Sequence, residues 1–458
     1  MLLDVVGLTS ATLAKMPRLS QFAARNHLSK IRPAFPAVTC TAQSNYLTGK
    51  LPAEHGIVGN GWYHRELAEV HFWKQSNHLV QSPKLWEVLR QNNPAFTCAK
   101  LFWWYNMYSS ADYSITPRPM YPADGRKIFD IYTWPYTIKD PIKKALGEFP
   151  FPAFWGPAAG VNSHFRADAV TRWIAQAAKW IEERYQPSLS LVYLPHLDYN
   201  LQRLGPEKTF TSGDLERIEE IVADLIGYFE GRAVQVILVS EYGITEVNKP
   251  IHINRLLRKH GWLVLKEELG RELIDYGASH AFAVADHQVA HVYTKTDSCK
   301  AVVREVLAAH PDISRVIDPR LEKNWGLDHP RTGDLVACAR EDAWFSYYYW
   351  ADDGRAPDFA RTVDIHRKPG YDPVELFVDP AIALPKLKIA WRLLQKKLGL
   401  RMLMDVIPLQ AELVKGSHGI IPSSEEDYPI LISPTPCDRL IDSTDVFTLL
   451  KGAIEKEA

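Results

Sequence analysis

Short apolar runs punctuate this chain at the ends of longer amphipathic stretches. Leu2–Val6 is apolar except at Asp4 and reads as a strand buried on both faces. Met16-Pro17-Arg18-Leu19 opens a helix toward Ala24, with proline at a helix start. Pro83–Gln91 carries Leu85, Val88 and Leu89 on one helical face. A helix over Ala167–Tyr185 leads to a strand at Leu189–Leu194, and a helix around Leu215–Phe229 leads to a strand at Val234–Val239. Strands alternating with helices predict an α/β fold, a mostly parallel sheet with helices on both faces. In such sheets chemistry gathers at the C-terminal strand ends. Thr39, Asp198 and Glu241 each follow a predicted strand.

One segment departs from this alternation. Residues 101–155 are loop-like and rich in proline and aromatics, among them Trp103, Trp104, Tyr121, Trp134, Tyr136 and Trp155. A connection that long inside a compact domain predicts a lid insertion, set at residues 101–160. Its aromatics form either a small core of their own or a wall facing substrate. The remainder reads as one continuous domain over residues 1–458.

Composition adds exclusions. Hydrophobic content of 46%, charged content of 23% and a net charge of −1 describe a globular chain with no electrostatic reason to bind a nucleic acid polymer or a membrane. Five scattered cysteines (Cys40, Cys98, Cys299, Cys338, Cys437) suggest neither a disulfide set nor a zinc ribbon. The first residues carry no basic leader, and no apolar stretch reaches the length of a membrane span. The expectation is a cytoplasmic protein of open oligomeric state.

The candidate chemistry starts at Pro33–Asn60, PAFPAVTCTAQSNYLTGKLPAEHGIVGN. This stretch resembles the nucleophile segment of the alkaline phosphatase superfamily, in its nucleotide pyrophosphatase/phosphodiesterase and phosphonoacetate hydrolase-like branch. The resemblance implies an alkaline phosphatase-like core with Thr39 as nucleophile, Leu47-Thr48-Gly49 closing the next helix and Glu54–Asn60 completing the signature. It also implies a metal-dependent hydrolase of a phosphoester, phosphodiester or phosphonate, with a small phosphorylated molecule as substrate. One or two divalent ions, zinc or manganese, would activate the hydroxyl and neutralise the phosphoryl oxygens.

The ligand positions implied by that family are only partly kept. Val6 stands where an aspartate belongs, and Asp4 lies two residues back. Pro195–Gln202 matches a D-Y-x-x-H motif with Asp198 in place and Gln202 for the histidine. Ser240-Glu241-Tyr242-Gly243 replaces S/T-D-H-G, and Lys415–Gly419 matches S-H-G through His418. Where the family has an asparagine three residues past the nucleophile this chain has Ala42, with Gln43 or Asn45 as substitutes. Asp364–Asp372 offers His366 as a relocated ligand, and its Arg367 and Lys368 either pair with a substrate anion or lie solvated. Asp286, His287 and His291 read as structural residues or ligands. The expected ligands are therefore Asp198, Gln202, Glu241, His366 and His418, with no organic cofactor. The rival reading is a pseudo-phosphatase that has lost catalysis and acts as a binding protein.

Overall fold

A computed structural model describes residues 1–160, 166–210 and 213–455. At its centre β1 (Leu2–Val5) lies between β2 (Leu189–Leu194) and β3 (Ile237–Val239), parallel to both. A continuous apolar run suits such a position because neither face of the strand meets water. Six more strands extend the sheet to nine, and five of its eight neighbouring pairs are parallel. Helices pack on this sheet over one large apolar core that includes Trp86, Trp173, Ile174 and Ile226.

The helices expected from periodicity are present at Pro17–Ala24, Leu85–Asn92, Ala169–Tyr185 and Asp214–Glu230. Within residues 101–160 two strands, Tyr113–Pro117 and Ile131–Trp134, pair with each other and continue one edge of the sheet. Part of that segment's aromatic content packs inward: Phe102 and Phe149 meet each other and Trp173 of the Ala169–Tyr185 helix with ring centroids 5.0–6.0 Å apart. A separate four-stranded antiparallel sheet (Ala281–Asp286, Val289–Thr294, Leu335–Ala339, Ile313–Ile317) holds a second core with Trp344, Tyr347 and Trp350. No helix among the described residues is long and apolar enough to cross a membrane.

Three features of this architecture converge at the C-terminal ends of β1–β3. Helix α1 (Thr39–Thr48) has all ten residues buried and begins on Thr39. Helix α2 (His196–Leu204) starts two residues past β2 and carries Asp198 and Gln202 one turn apart. Segment Gly416–Ser417 then runs against α2, where a Cβ on Gly416 would sit 2.0 Å from the Leu201 carbonyl oxygen. Only glycine permits that approach, and it brings His418 to the same edge.

Candidate active site

Thr39 is the first helical residue of α1, and its neighbour Cys40 gives its backbone N–H to Asn60 Oδ1 at 3.0 Å. Asn60 is itself held by Asp286, through its backbone N–H at 2.8 Å and its side-chain amide at 3.1 Å. The last residue of the Pro33–Asn60 signature thus anchors the helix that begins on Thr39. Thr39 Oγ1 lies 3.0 Å from the Tyr242 hydroxyl, which donates to Asp198 Oδ1 at 3.4 Å. A tyrosine O–H has one proton to give. While it serves Asp198, it accepts from Thr39, and the three groups form one hydrogen-bonded line.

On the other side of Thr39 stand two buried carboxyls, Asp4 and Glu241. Asp4 pairs in register with Val239, so Glu241 emerges two residues farther along the adjacent strand, about 6–7 Å on. The extra methylene of glutamate reaches back over that offset, and the two carboxyls meet. Val6, at the position the resemblance reserves for a ligand, is fully buried in the apolar core.

Gln43 tethers this pair. Its Oε1 accepts the Trp104 backbone N–H at 2.8 Å, which turns its amide nitrogen toward the carboxyls. That nitrogen donates to Glu241 Oε1 at 2.7 Å and to Asp4 Oδ2 at 3.3 Å. The second oxygens, Glu241 Oε2 and Asp4 Oδ1, are buried without a hydrogen-bond donor. Burial pushes both carboxyls above the usual carboxylate range; Glu241 raises Asp4 further, whereas Asp4, Gln43 and Thr39 bring Glu241 partly back down. Burial also pushes Asp198 up to about 7, offset in part by the nearby Gln202 amide and the hydrogen bond from Tyr242. No lysine or arginine among the described residues acts on these three groups.

The third part of the site is a column of rings. Tyr242 stacks on His418 at 3.6 Å and 7°, His418 meets His287 at 3.8 Å, and His287 stacks on Tyr371 at 3.6 Å. His418 Nδ1 gives its proton to the Ala37 carbonyl at 2.7 Å. Its Nε2 is therefore an unprotonated lone pair, buried and without a partner. Burial and the neighbouring His287 keep this imidazole neutral, well below its ordinary pKa. Tyr371 donates to Gln202 Oε1 at 2.8 Å, so the amide oxygen expected to face a metal is already engaged.

Thr39, Asp198, Glu241 and His418 are thus brought to one sheet edge, and Gln202 reaches it through Tyr371. His366 stands apart: its Nδ1 meets the Phe72 carbonyl at 3.2 Å, and none of the site's groups acts on it. His291 is satisfied structurally, between the Val58 carbonyl and the Gly333 N–H. Lys368 is buried and paired with Asp372 and Glu375 at 2.6 and 2.8 Å, whereas Arg367 pairs with exposed Asp358. Next to Tyr371 is a narrow cleft with about 10 Å³ of free space, lined by Trp73, Trp155, Ile365 and Lys368. Trp104 packs on Trp73 at 4.6 Å, so the aromatic segment supplies both core and cleft.

The donor set decides how a divalent ion would fit. Among the described residues no three His, Cys, Asp or Glu side chains form a group that could hold one unaided. Paired zinc sites rich in imidazole are not assembled, since Gln202 and Tyr242 replace the histidines and Gln202 is engaged. Two carboxylates with one free oxygen each, beside a hydroxyl, do match a hard ion that keeps waters and completes its shell with phosphate oxygens.

Comparison with known proteins gives concordant matches. A family model described as type I phosphodiesterase / nucleotide pyrophosphatase matches residues 1–372. An uncharacterised pyrophosphatase/phosphodiesterase of Schizosaccharomyces pombe is 21% identical over 252 residues, 53% of this chain. The match takes in 42% of that protein, so the chain spans less than half the length of this curated relative. Among solved structures, murine ectonucleotide pyrophosphatase/phosphodiesterase 5 superposes with a TM-score of 0.57 at 14% identity, covering 99% of this chain and 94% of the other. Phosphonoacetate hydrolase from Sinorhizobium meliloti, solved with phosphonoformate, gives 0.59 at 12% identity over 99% and 95%. At these identities the two structures establish the fold.

Proposed function

Because the chain belongs to the type I phosphodiesterase / nucleotide pyrophosphatase family, we propose that it hydrolyses a phosphoester, phosphodiester or phosphonate with the Thr39 hydroxyl as nucleophile. The observation that carries this reading is the line from Thr39 through Tyr242 to Asp198, at 3.0 and 3.4 Å. As Thr39 Oγ1 forms its bond to phosphorus and the leaving group departs, the threonine proton passes to Tyr242 and the tyrosine proton to Asp198. A carboxyl with a pKa near 7 accepts that proton efficiently at neutral pH. Water then cleaves the phosphorylated threonine and regenerates the hydroxyl.

Asp4 and Glu241 are the residues that would hold a divalent cation, with Thr39 Oγ1 beside them. When bound, the ion supplies charge neutralisation for the phosphoryl oxygens and lowers the hydroxyl pKa. Three buried carboxyls without a cationic side chain support this reading, since an uncompensated cluster of that kind would repel a phosphoryl group. All-oxygen donors favour manganese or magnesium over zinc.

A panel of aryl phosphomonoesters, phosphodiesters and phosphonates under Mn, Mg, Co and Zn tests this function. The expected outcome is turnover of at least one member, lost by roughly a thousandfold in Thr39→Ala. Full turnover in that variant would remove the nucleophile assignment. One observation favours a second reading, a non-catalytic binding protein: Thr39 is only 3% exposed, beneath the ring column. That reading predicts ligand binding with no turnover by any panel member.

A further inference from the structure

Helix α3 (Pro385–Lys397) has no buried residue along its 13 positions. Leu387, Trp391, Leu394 and Leu398 follow at spacings of four, three and four, which places them on one face. That face points outward: Leu387 is 65% exposed, Trp391 55% and Leu398 66%. The inward side carries Lys388 and Arg392, both bound to Asp405 at 3.0 Å, beside Ile389, which packs against the second core. An amphipathic helix on a globular protein ordinarily buries its apolar stripe. Here the orientation is inverted.

Two further observations identify the occupant. Residues 384–404 contain six lysines and arginines and no acidic residue, and Lys386, Lys397 and Arg401 are exposed around the apolar stripe. The adjoining loop extends the same surface: Lys396 donates to the Lys127 carbonyl at 3.2 Å and lies 5.4 Å from the Phe129 ring. That loop displays Met120, Tyr121 and Phe129, all exposed. Leucine and aromatic side chains facing outward, ringed by cations, match a surface that seats at the boundary between lipid headgroups and acyl chains.

We propose that α3 and the loop around Tyr121 and Phe129 form a docking surface for an anionic lipid bilayer, with the helix lying in the plane of the interface. The binding is peripheral. Charge argues against a second copy as the occupant: a twofold pairing of this face would lay the basic rim of Lys386, Lys397 and Arg401 against the same basic rim of the copy. The expectation of no membrane partner rested on a net charge of −1, which averages this basic segment with acidic regions elsewhere.

The test is co-sedimentation of the full chain with vesicles of phosphatidylcholine alone and with roughly 30% phosphatidylserine added. The expected result is binding to the anionic vesicles that weakens with salt. A Leu387→Glu/Trp391→Glu/Leu394→Glu variant should lose about tenfold or more in partitioning. Its thermal midpoint should stay close to that of the parent, because the replaced side chains are exposed. Quenching by brominated lipid should be weaker in Trp391→Phe than in the parent, which places that ring at the bilayer. No binding to either vesicle, or equal binding by the triple variant, would overturn the proposal. So would a concentration-dependent dimer of the parent, seen by sedimentation velocity and abolished in the triple variant, without vesicle binding.

Discussion

The two sides of the site differ in how they are held. The Asp4–Glu241 side belongs to the central sheet: Asp4 lies in β1, Glu241 follows β3, and both are tied to α1 through Gln43. The Tyr242–His418–His287–Tyr371 side is assembled from segments far apart in sequence and held by ring stacking. The carboxyl side keeps oxygen donors with unpartnered atoms. On the ring side Gln202 is an engaged amide and Tyr242 a stacked phenol. Backbone register fixes the carboxyl side, whereas the ring side depends on stacking between separate segments.

The hinge between the two sides is Tyr242, and removing its hydroxyl tests the comparison most severely. Tyr242→Phe keeps the ring against His418 but breaks the line to Asp198, so turnover should fall by about a hundredfold with thermal stability little changed. A steady-state assay beside a melting curve checks this. Equal activity would move the proton path to the Glu241 side.

Asp198 provides a pH test of the same line. In metal-free protein its carboxyl stays protonated to about pH 7 when folded, against 3.8 when unfolded. Between those values the folded state binds more protons, so stability falls as pH rises, by at most ~4 kcal/mol for this group. Asp4 and Glu241 add slopes of the same sign. Asp198→Asn should flatten the decline of unfolding free energy between about pH 4 and 7, and an unchanged slope would contradict its burial as an acid.

A smaller effect is expected on the ring side. His418→Ala removes a buried ring from the middle of the column and should cost about 2–4 kcal/mol of stability, with less than about tenfold loss of turnover. A greater catalytic loss than that of Tyr242→Phe would mean that the imidazole, and not the phenol, carries the chemistry.

Much of this was legible in the chain because it is local. The buried strands and α1 come from short-range pattern, and Thr39, Asp198, Glu241 and His418 come from motif wording. The Asp4–Glu241 contact was not, since it depends on a two-residue offset between strands more than two hundred positions apart in sequence. Tyr371 escaped notice for a similar reason: it stacks on His287 only because the second sheet turns at that residue. Gln43 reads from sequence as a substitute for the family's asparagine, and in the structure its amide holds the two carboxyls. The inverted face of α3 needed coordinates, because periodicity reveals a stripe without revealing which way it points.

The central claim is that Asp4 and Glu241 beside Thr39 form a site for one hard divalent ion. Titration of chelator-treated protein with manganese, followed by electron paramagnetic resonance of the free ion, tests it directly. The account predicts about one bound manganese per chain, lost in Glu241→Gln and retained in His418→Ala. Two zinc ions per chain, both lost on removal of the His418 imidazole, would contradict it.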